Sequence, residues 1–123
     1  MDLKQFYEVT GGDYNLVMSR LSMESLVKKF LLKFLDDETF GKLTEAVLAK
    51  DFEQAFKEVH TIKGVALNLE LASLAESCSE LTELLRGVEG KEGDTEFNEA
   101  VSAVYEKVKA DYDAAISNIK LLD

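Results

Sequence analysis

Residues 51–69, DFEQAFKEVHTIKGVALNL, carry the pattern that decides the fold. Apolar residues recur three and four positions apart along this stretch, which is the spacing of one face of an α-helix. Asp51 followed by Gln54 resembles a capping box, with Asp in place of Ser or Thr, and marks where the helix begins. The spacing therefore predicts a helix over 52–69. Its buried face would consist of Phe52, Ala55, Phe56, Val59, Ile62, Ala66 and Leu69.

A second apolar helix is predicted immediately after the first, beyond a tight turn near Glu70. It covers 71–86, and Gly87 follows at the position where glycine commonly ends a helix. A charged, glycine-rich loop is predicted over 88–94, and Asp94 or Thr95 caps a final helix. The apolar residues of these two helices are Leu71, Leu74, Ala75, Cys78, Leu81 and Leu85, then Phe97, Val101, Val104, Val108, Tyr112, Ile116 and Ile119.

The N-terminal part of the chain continues the helical pattern. A short helix is predicted over 2–9, and Asp13 is the expected cap of another over 14–20. Ser22 is the expected cap of an apolar helix over 23–35, and the same spacing repeats more briefly over 40–48. No useful length of strand alternation interrupts these helices. We therefore predict an all-α fold, an antiparallel four-helix bundle with one or two short extra N-terminal helices, formed by residues 1–123 as a single domain.

The charge balance excludes several functions. The chain has 14 Lys and Arg against 24 Asp and Glu, a net charge of −10, which disfavours binding to nucleic acid or to an anionic membrane surface. The most apolar stretch, 30–35, is too short to span a bilayer, and the N-terminus lacks the apolar run of a signal peptide. Cys78 is the only cysteine, so no internal disulfide is possible. We expect a cytoplasmic protein.

The single histidine, His60, lies in the middle of the first predicted helix, one step around from its buried face. Lys63 follows one turn later and can neutralise an anion attached to the imidazole. Gly64 is unusual because an interior helical glycine costs about 1 kcal/mol relative to alanine. It leaves room for another molecule beside the ring. A neutral imidazole is a competent nucleophile toward phosphorus, although a lone surface histidine is ordinarily just a solvated side chain.

The stretch from His60 to Leu69, HTIKGVALNL, resembles the signature of histidine-containing phosphotransfer (HPt) domains, and the predicted helices on either side resemble that family's helix pair. The N-terminal run over 12–15 and 28–35 is similar to a stand-alone bacterial group of the family. The resemblance implies that His60 is the phosphoacceptor, that Lys63 stabilises the phosphoryl charge, and that Gly64 gives the partner access.

Two positions depart from the pattern that the resemblance implies. Many members of the family have a second glycine where this chain has Glu70, so we expect a different turn geometry there. Many members also carry a polar residue, commonly glutamine, that orients the histidine ring from the next helix. The matching position here is Thr82, whose shorter hydroxyl is the candidate for orienting the ring.

The resemblance also implies partners. They are receiver domains of response regulators and a sensor or hybrid histidine kinase, and the Mg²⁺ of the relay chemistry is expected on the receiver. We expect no cofactor or metal in this chain, no kinase activity of its own because no glycine-rich phosphate loop is present, and a monomer because no long heptad seam is evident. Docking is expected around His60 through Phe56, Lys57, Leu67 and Asn68.

Two other functions compete with a phosphorelay intermediate. A helical adaptor without covalent chemistry would bind the same signalling partners, and the departures at Glu70 and Thr82 are its support. A carboxylate-bridged di-metal enzyme needs a Glu-x-x-His motif from each of two helices, and one histidine cannot supply two.

Overall fold

The computed structural model of the protein describes residues 1–87 and 90–123, and this part of the chain is helical without a strand. Its elements are α1 (Leu3–Thr10), α2 (Tyr14–Leu21), α3 (Glu24–Phe34), α4 (Thr39–Leu48), α5 (Phe52–Asn68), α6 (Ala72–Leu85) and α7 (Thr95–Ile119). The predicted all-α fold is confirmed. Of the loop predicted over 88–94, Val88 and Glu89 lie outside the described residues. No helix in the described ranges is long and apolar enough to cross a membrane.

The last four helices form the bundle. The short connections at 49–51 and 69–71 fold α4 back on α5 and α5 back on α6, and α6 packs along α7. The N-terminal part contributes three helices, where one or two were expected. Among them α1 packs on α2 and α7, and α3 packs on α2 and α7. This arrangement packs α5 between α4 and α6.

The buried side of α5 is the one that the spacing predicts. Six of the seven expected residues are buried: Phe52, Ala55, Val59, Ile62, Ala66 and Leu69. The exception is Phe56, which is only partly buried at the margin of the core. Each large apolar side chain removed from water contributes roughly 1.5–3 kcal/mol, so this face fixes how α5 is rotated in the bundle. That rotation turns His60 to the outside.

Four helices begin at a capping aspartate, and Asp2, which caps α1, also forms a complete capping box with Gln5. The carboxylates of Asp13, Asp51 and Asp94 accept hydrogen bonds from the backbone N–H three residues later, at 3.0, 3.2 and 3.1 Å. Asp94 and not Thr95 therefore caps α7. The capping box at the start of α5 is only half formed, because the Asp51 N–H donates to the Ala46 carbonyl and not to the Gln54 side chain, which itself donates to Glu58.

The prediction that Ser22 caps α3 is wrong. Ser22 instead ends α2 in a left-handed conformation with φ of 67°, and its N–H donates to the Met18 carbonyl. Met23 is the residue that precedes α3, and it makes no side-chain cap. Only two residues connect α2 to α3, and Ser22 is needed in the left-handed conformation that ends α2. It therefore does not act as the N-cap of α3, although serine favours that position.

The turn between α5 and α6 is held by a group of contacts that we call the turn clamp, formed by Tyr7, Gly12, Arg20 and Glu70. The Tyr7 hydroxyl donates to the Leu69 carbonyl at 2.5 Å. The Arg20 guanidinium donates to the Leu67 carbonyl at 2.6 Å and pairs with the Glu70 carboxylate at 3.1 Å. A β-carbon on Gly12 would overlap the Glu70 carbonyl oxygen and the Tyr7 ring, so only glycine lets the chain pass there.

The expectation of a different turn geometry at Glu70 is wrong. Glu70 adopts a φ of 56°, the left-handed conformation that glycine favours at such turns. A side chain costs roughly 1 kcal/mol in this conformation. The ion pair with Arg20 offsets that cost, because the Glu70 side chain is held where it reaches the guanidinium.

Candidate functional site

His60 lies on the outward side of α5 and is exposed, whereas the adjacent Val59 is fully buried. Its ring is parallel to that of Phe56, one turn earlier, with 6.1 Å between ring centroids and 4° between planes. The Arg86 guanidinium from α6 lies 5.5 Å from the Phe56 ring centroid. No hydrogen bond to the His60 ring occurs among the described residues, so both ring nitrogens face solvent or a partner.

Gly64 lies one turn after His60, where the surface of α5 is open. A β-carbon built there would meet no atom within 4 Å, so the packing of the fold does not require glycine at this position. Leu67, one turn further, is 49% exposed. We call the line formed by His60, Gly64 and Leu67 the open ridge. Its middle residue lacks a side chain, which leaves the imidazole accessible from that direction.

Lys63 lies on the side of α5 that faces α6 and is partly buried. It shares a groove of about 460 Å³ with Glu76, Ser79, Glu80 and Glu83 of α6. None of the described carboxylates comes within ion-pair distance of the Lys63 amine. An ammonium one turn from His60 is thus available to an anion bound at the ring.

Thr82 makes no hydrogen bond to the His60 ring. Thr82 is fully buried, and its hydroxyl donates its one proton to the Cys78 carbonyl in the preceding turn of α6, at 2.7 Å. It therefore has no proton to give a histidine ring. Cys78 is also buried, and that burial raises the pKa of its thiol to about 12, which makes it unreactive in the folded state.

The four residues expected to dock partners share the outer surface of α5 with His60. Leu67 and Asn68 are exposed, and Phe56 is partly buried beneath Arg86. Lys57 is exposed, with its amine 3.8 Å from the Glu53 carboxylate, a distance at which a solvent-exposed pair contributes little. All four thus lie within about 12 Å of His60 along the axis of α5.

Sequence reasoning missed Arg20, whose guanidinium holds the Leu67 carbonyl at the end of the open ridge. It also missed a groove that α2 and α3 form against α5, with Phe30 and Lys33 in its walls. No local pattern marks either feature, because both depend on the contact of helices far apart in the chain. Within the described ranges, no cluster of three or more His, Cys, Asp or Glu side chains is arranged to hold a metal ion.

The sequence model of one family, the Hpt domain, matches residues 31–117, from within α3 almost to the end of α7. The match covers well over half of the chain, so the protein belongs to the Hpt domain family. Such domains are phosphocarrier modules for histidine phosphotransfer in two-component signalling and interact with response regulators and kinases. Neither the curated proteins nor the solved structures include a significant match to this chain.

Proposed function

We propose that this protein is a phosphorelay intermediate that accepts a phosphoryl group on His60 from one receiver-domain aspartate, or from a hybrid kinase, and passes it to another response regulator. One observation carries the proposal. The only imidazole of the chain is exposed beside an unobstructed glycine and within one turn of an ammonium that no described carboxylate pairs with, inside the segment that matches the Hpt domain.

The proposed reaction moves one phosphoryl group from an aspartyl oxygen of the receiver to a ring nitrogen of His60. The unprotonated nitrogen of the neutral His60 ring attacks phosphorus, the bond from phosphorus to the aspartyl oxygen breaks, and the carboxylate leaves with the electron pair. The other ring nitrogen keeps its proton. The reverse reaction on a second receiver returns the phosphoryl group to a carboxylate. The Mg²⁺ that assists this chemistry belongs to the receiver.

The neighbours of His60 have separate roles in this proposal. Lys63 stabilises the negative charge that the phosphoryl group brings to the ring, because no carboxylate of residues 1–87 or 90–123 lies at ion-pair distance from its amine. Gly64 lets the receiver's aspartyl phosphate approach the ring without a side chain in the way. The parallel Phe56 ring limits the rotation of the imidazole, a function that Thr82 would otherwise have supplied by hydrogen bonding.

Docking is proposed through the surface around His60, and the partner is a single receiver domain at a time. Phe56, Leu67 and Asn68 supply the contact area and Lys57 adds a mobile charge. This small, mixed surface fits a transient encounter in which the partner must leave after each exchange. We propose that the chain acts as a monomer in the cytoplasm, where receiver domains and the cytoplasmic parts of kinases meet it.

Transfer of radiolabelled phosphate from a phosphorylated receiver tests the proposal. The wild-type protein should acquire a label that is lost in acid and kept in base, as a phosphohistidine is, and His60→Gln should acquire none while keeping the helical circular dichroism of the wild type. Equal labelling of both proteins would contradict the proposal. If His60→Gln is unlabelled yet signalling in cells is unchanged, the chain is an adaptor and its phosphorylation is incidental.

A further inference from the structure

A groove of about 610 Å³ lies where α2 and α3 meet α5. All three helices contribute apolar side chains to its walls, namely Leu21 of α2, Phe30 and Phe34 of α3, and Val65 and Leu69 of α5. Phe30 is 37% exposed, although it is a large apolar residue. A volume of this size is typical of pockets that bind small molecules. The groove therefore offers an apolar enclosure of the size that small organic ligands use.

The same three helices each supply a polar side chain with unused hydrogen-bond donors. The Arg20 guanidinium uses Nη1 to donate to the Leu67 carbonyl and to pair with Glu70, and its Nη2 and Nε atoms make no hydrogen bond within residues 1–87 and 90–123. Over the same ranges, the Lys33 amine of α3 and the Asn68 amide of α5, which also line the groove, have no hydrogen-bond or ion-pair partner. Hydrogen bonds from such donors to a charged acceptor are stronger in an apolar enclosure than in water.

The charge of the groove is opposite to that of the protein as a whole. Its wall carries Arg20 and Lys33 against the single carboxylate of Asp37, in a chain of net charge −10. One oxygen of Asp37 already accepts a hydrogen bond from the Thr39 N–H at the start of α4, at 2.7 Å. The Lys33 amine lies 5.8 Å from the Phe30 ring centroid, so a positive charge stands beside the apolar wall. A ligand that matches this groove combines an apolar body with one negative charge.

Part of the groove lies outside the residues that the family model matches. Arg20, Leu21 and Phe30 all precede residue 31, where the match begins. The N-terminal helices thus add to the matched segment a groove whose walls are incomplete without them. Binding of a small molecule there requires no phosphoryl transfer, so it can be tested separately from the proposed function.

We propose that this groove is a binding site for a small aromatic carboxylate, whose ring system lies between α3 and α5. The exposed Phe30 ring offers edge and face contacts to a flat aromatic body, and a rigid ring loses less conformational entropy on binding than an acyl chain does. Arg20 and Asn68 receive the carboxylate, and they lie close together because Arg20 bonds the carbonyl of the residue before Asn68. Lys33 supplies further positive charge from the opposite wall.

Titration with 2-naphthoate, followed in ¹⁵N–¹H spectra of the full chain, tests the apolar part of the site. Amide shifts should saturate with a Kd of roughly 0.1–1 mM, as expected for a ligand of this size, and should concentrate in α2, α3 and the second half of α5. Phe30→Ala should weaken binding about fivefold, because it removes an aromatic wall. Leu32→Ala is the matched control, since Leu32 is 49% exposed on the same helix and is absent from the groove wall. It should bind within about twofold of the wild type.

A second set of titrations tests the recognition of charge. Lys33→Gln should weaken the binding of 2-naphthoate about threefold and make it less dependent on salt, whereas Lys42→Gln on α4, outside the groove wall, should do neither. 2-Naphthalenemethanol has the same rings without the charge, and it should bind the wild type about fivefold more weakly than 2-naphthoate does. Arg20 is left unchanged in these experiments because it also holds the turn clamp.

Other results would overturn the inference. If 2-naphthoate gives no saturable shifts well above the expected Kd, or if Phe30→Ala leaves the shifts unchanged, the groove is not the site. Tighter binding of decanoate, or equal binding of 2-naphthalenemethanol, would show that an aromatic carboxylate is the wrong class of ligand. If the same amides shift when the protein alone is concentrated, the groove is filled by a second copy of the chain.

Discussion

Two glycines of this protein have opposite surroundings. At Gly12 a β-carbon would overlap the Glu70 carbonyl oxygen and the Tyr7 ring, whereas at Gly64 it would meet nothing within 4 Å. The first lies in the turn clamp, where α1 and α2 hold the turn between α5 and α6. The second lies in the middle of the open ridge. The packing of the fold therefore requires one glycine and not the other.

The difference separates residues that serve folding from those proposed to serve phosphoryl transfer. The polar side chains of the turn clamp, Tyr7, Arg20 and Glu70, each have a partner within the chain, at distances of 2.5 to 3.1 Å. The His60 ring and the Lys63 amine have none among the described residues, and Gly64 costs the helix stability without easing any contact. These three residues contribute little to the packing of the fold, which supports the proposal that they meet a partner.

The largest effect is expected at Gly12. Gly12→Ala should lower the free energy of unfolding by about 2–3 kcal/mol, because a backbone carbonyl and a buried aromatic ring must move to admit the methyl group. Urea denaturation followed by circular dichroism measures it. Gly41→Ala on α4, where the space is equally open as at Gly64, is the control and should not lose stability. A Gly12→Ala protein as stable as the wild type would show that the packing of the fold does not require glycine at position 12.

Gly64→Ala should separate stability from transfer. The free energy of unfolding should rise by about 0.5–1 kcal/mol, because alanine is the better helix former. The rate of phosphoryl transfer from a receiver should fall roughly tenfold, because a methyl group displaces the incoming phosphate from its line of attack. Gly41→Ala should show similar or smaller stabilisation with unchanged transfer. Unchanged transfer in Gly64→Ala as well would mean that the open space has no role in access.

Glu70 offers a smaller test within the turn clamp. Glu70→Ala loses the pair with Arg20 yet keeps a β-carbon in the left-handed conformation, so the free energy of unfolding should fall by about 1 kcal/mol. Glu70→Gly loses the same pair but relieves the backbone, and it should be about 1 kcal/mol more stable than Glu70→Ala. Thermal and urea unfolding of the two variants gives the difference directly. Equal stability would show that the left-handed turn carries no cost here.

The smallest effect is expected at Thr82. Thr82→Val should leave the rate of transfer to His60 within about twofold and the free energy of unfolding within about 1 kcal/mol, because the hydroxyl only donates to a carbonyl of its own helix. The measurement is the same receiver assay. A large loss of transfer, with the fold intact, would restore the ring-orienting role that the family resemblance implied for this residue.

Features that depend on a few neighbouring residues were predictable from sequence. The aspartate caps of α2, α5 and α7 depend on chemistry within four residues, and the buried face of α5 depends on one periodicity. His60, Lys63 and Gly64 occupy one helix, so their arrangement follows from helical geometry alone. These parts of the fold and of the candidate site needed no knowledge of which helices pack together.

Features that depend on distant contacts were not predictable. The Tyr7 and Arg20 bonds to the end of α5 join residues 62 and 47 positions apart. Nothing near Glu70 in sequence shows that an arginine from α2 would stabilise its left-handed conformation. The orientation of the Thr82 side chain was not predictable for a related reason. It points inward, because the rotation of α6 about its axis depends on how α6 packs against both α5 and α7.

If His60 carries the proposed phosphoryl group, its exposure also determines how long a signal lasts. A phosphoryl group carried there would stand in bulk water, since no loop or helix of the described chain covers the ring. Its lifetime would then be the intrinsic hydrolysis time of phosphohistidine, shortened only by encounters with other molecules. Cells would set the duration of the response through the abundance of the carrier and its partners, and a conformational change of the carrier would not be needed to release what it holds.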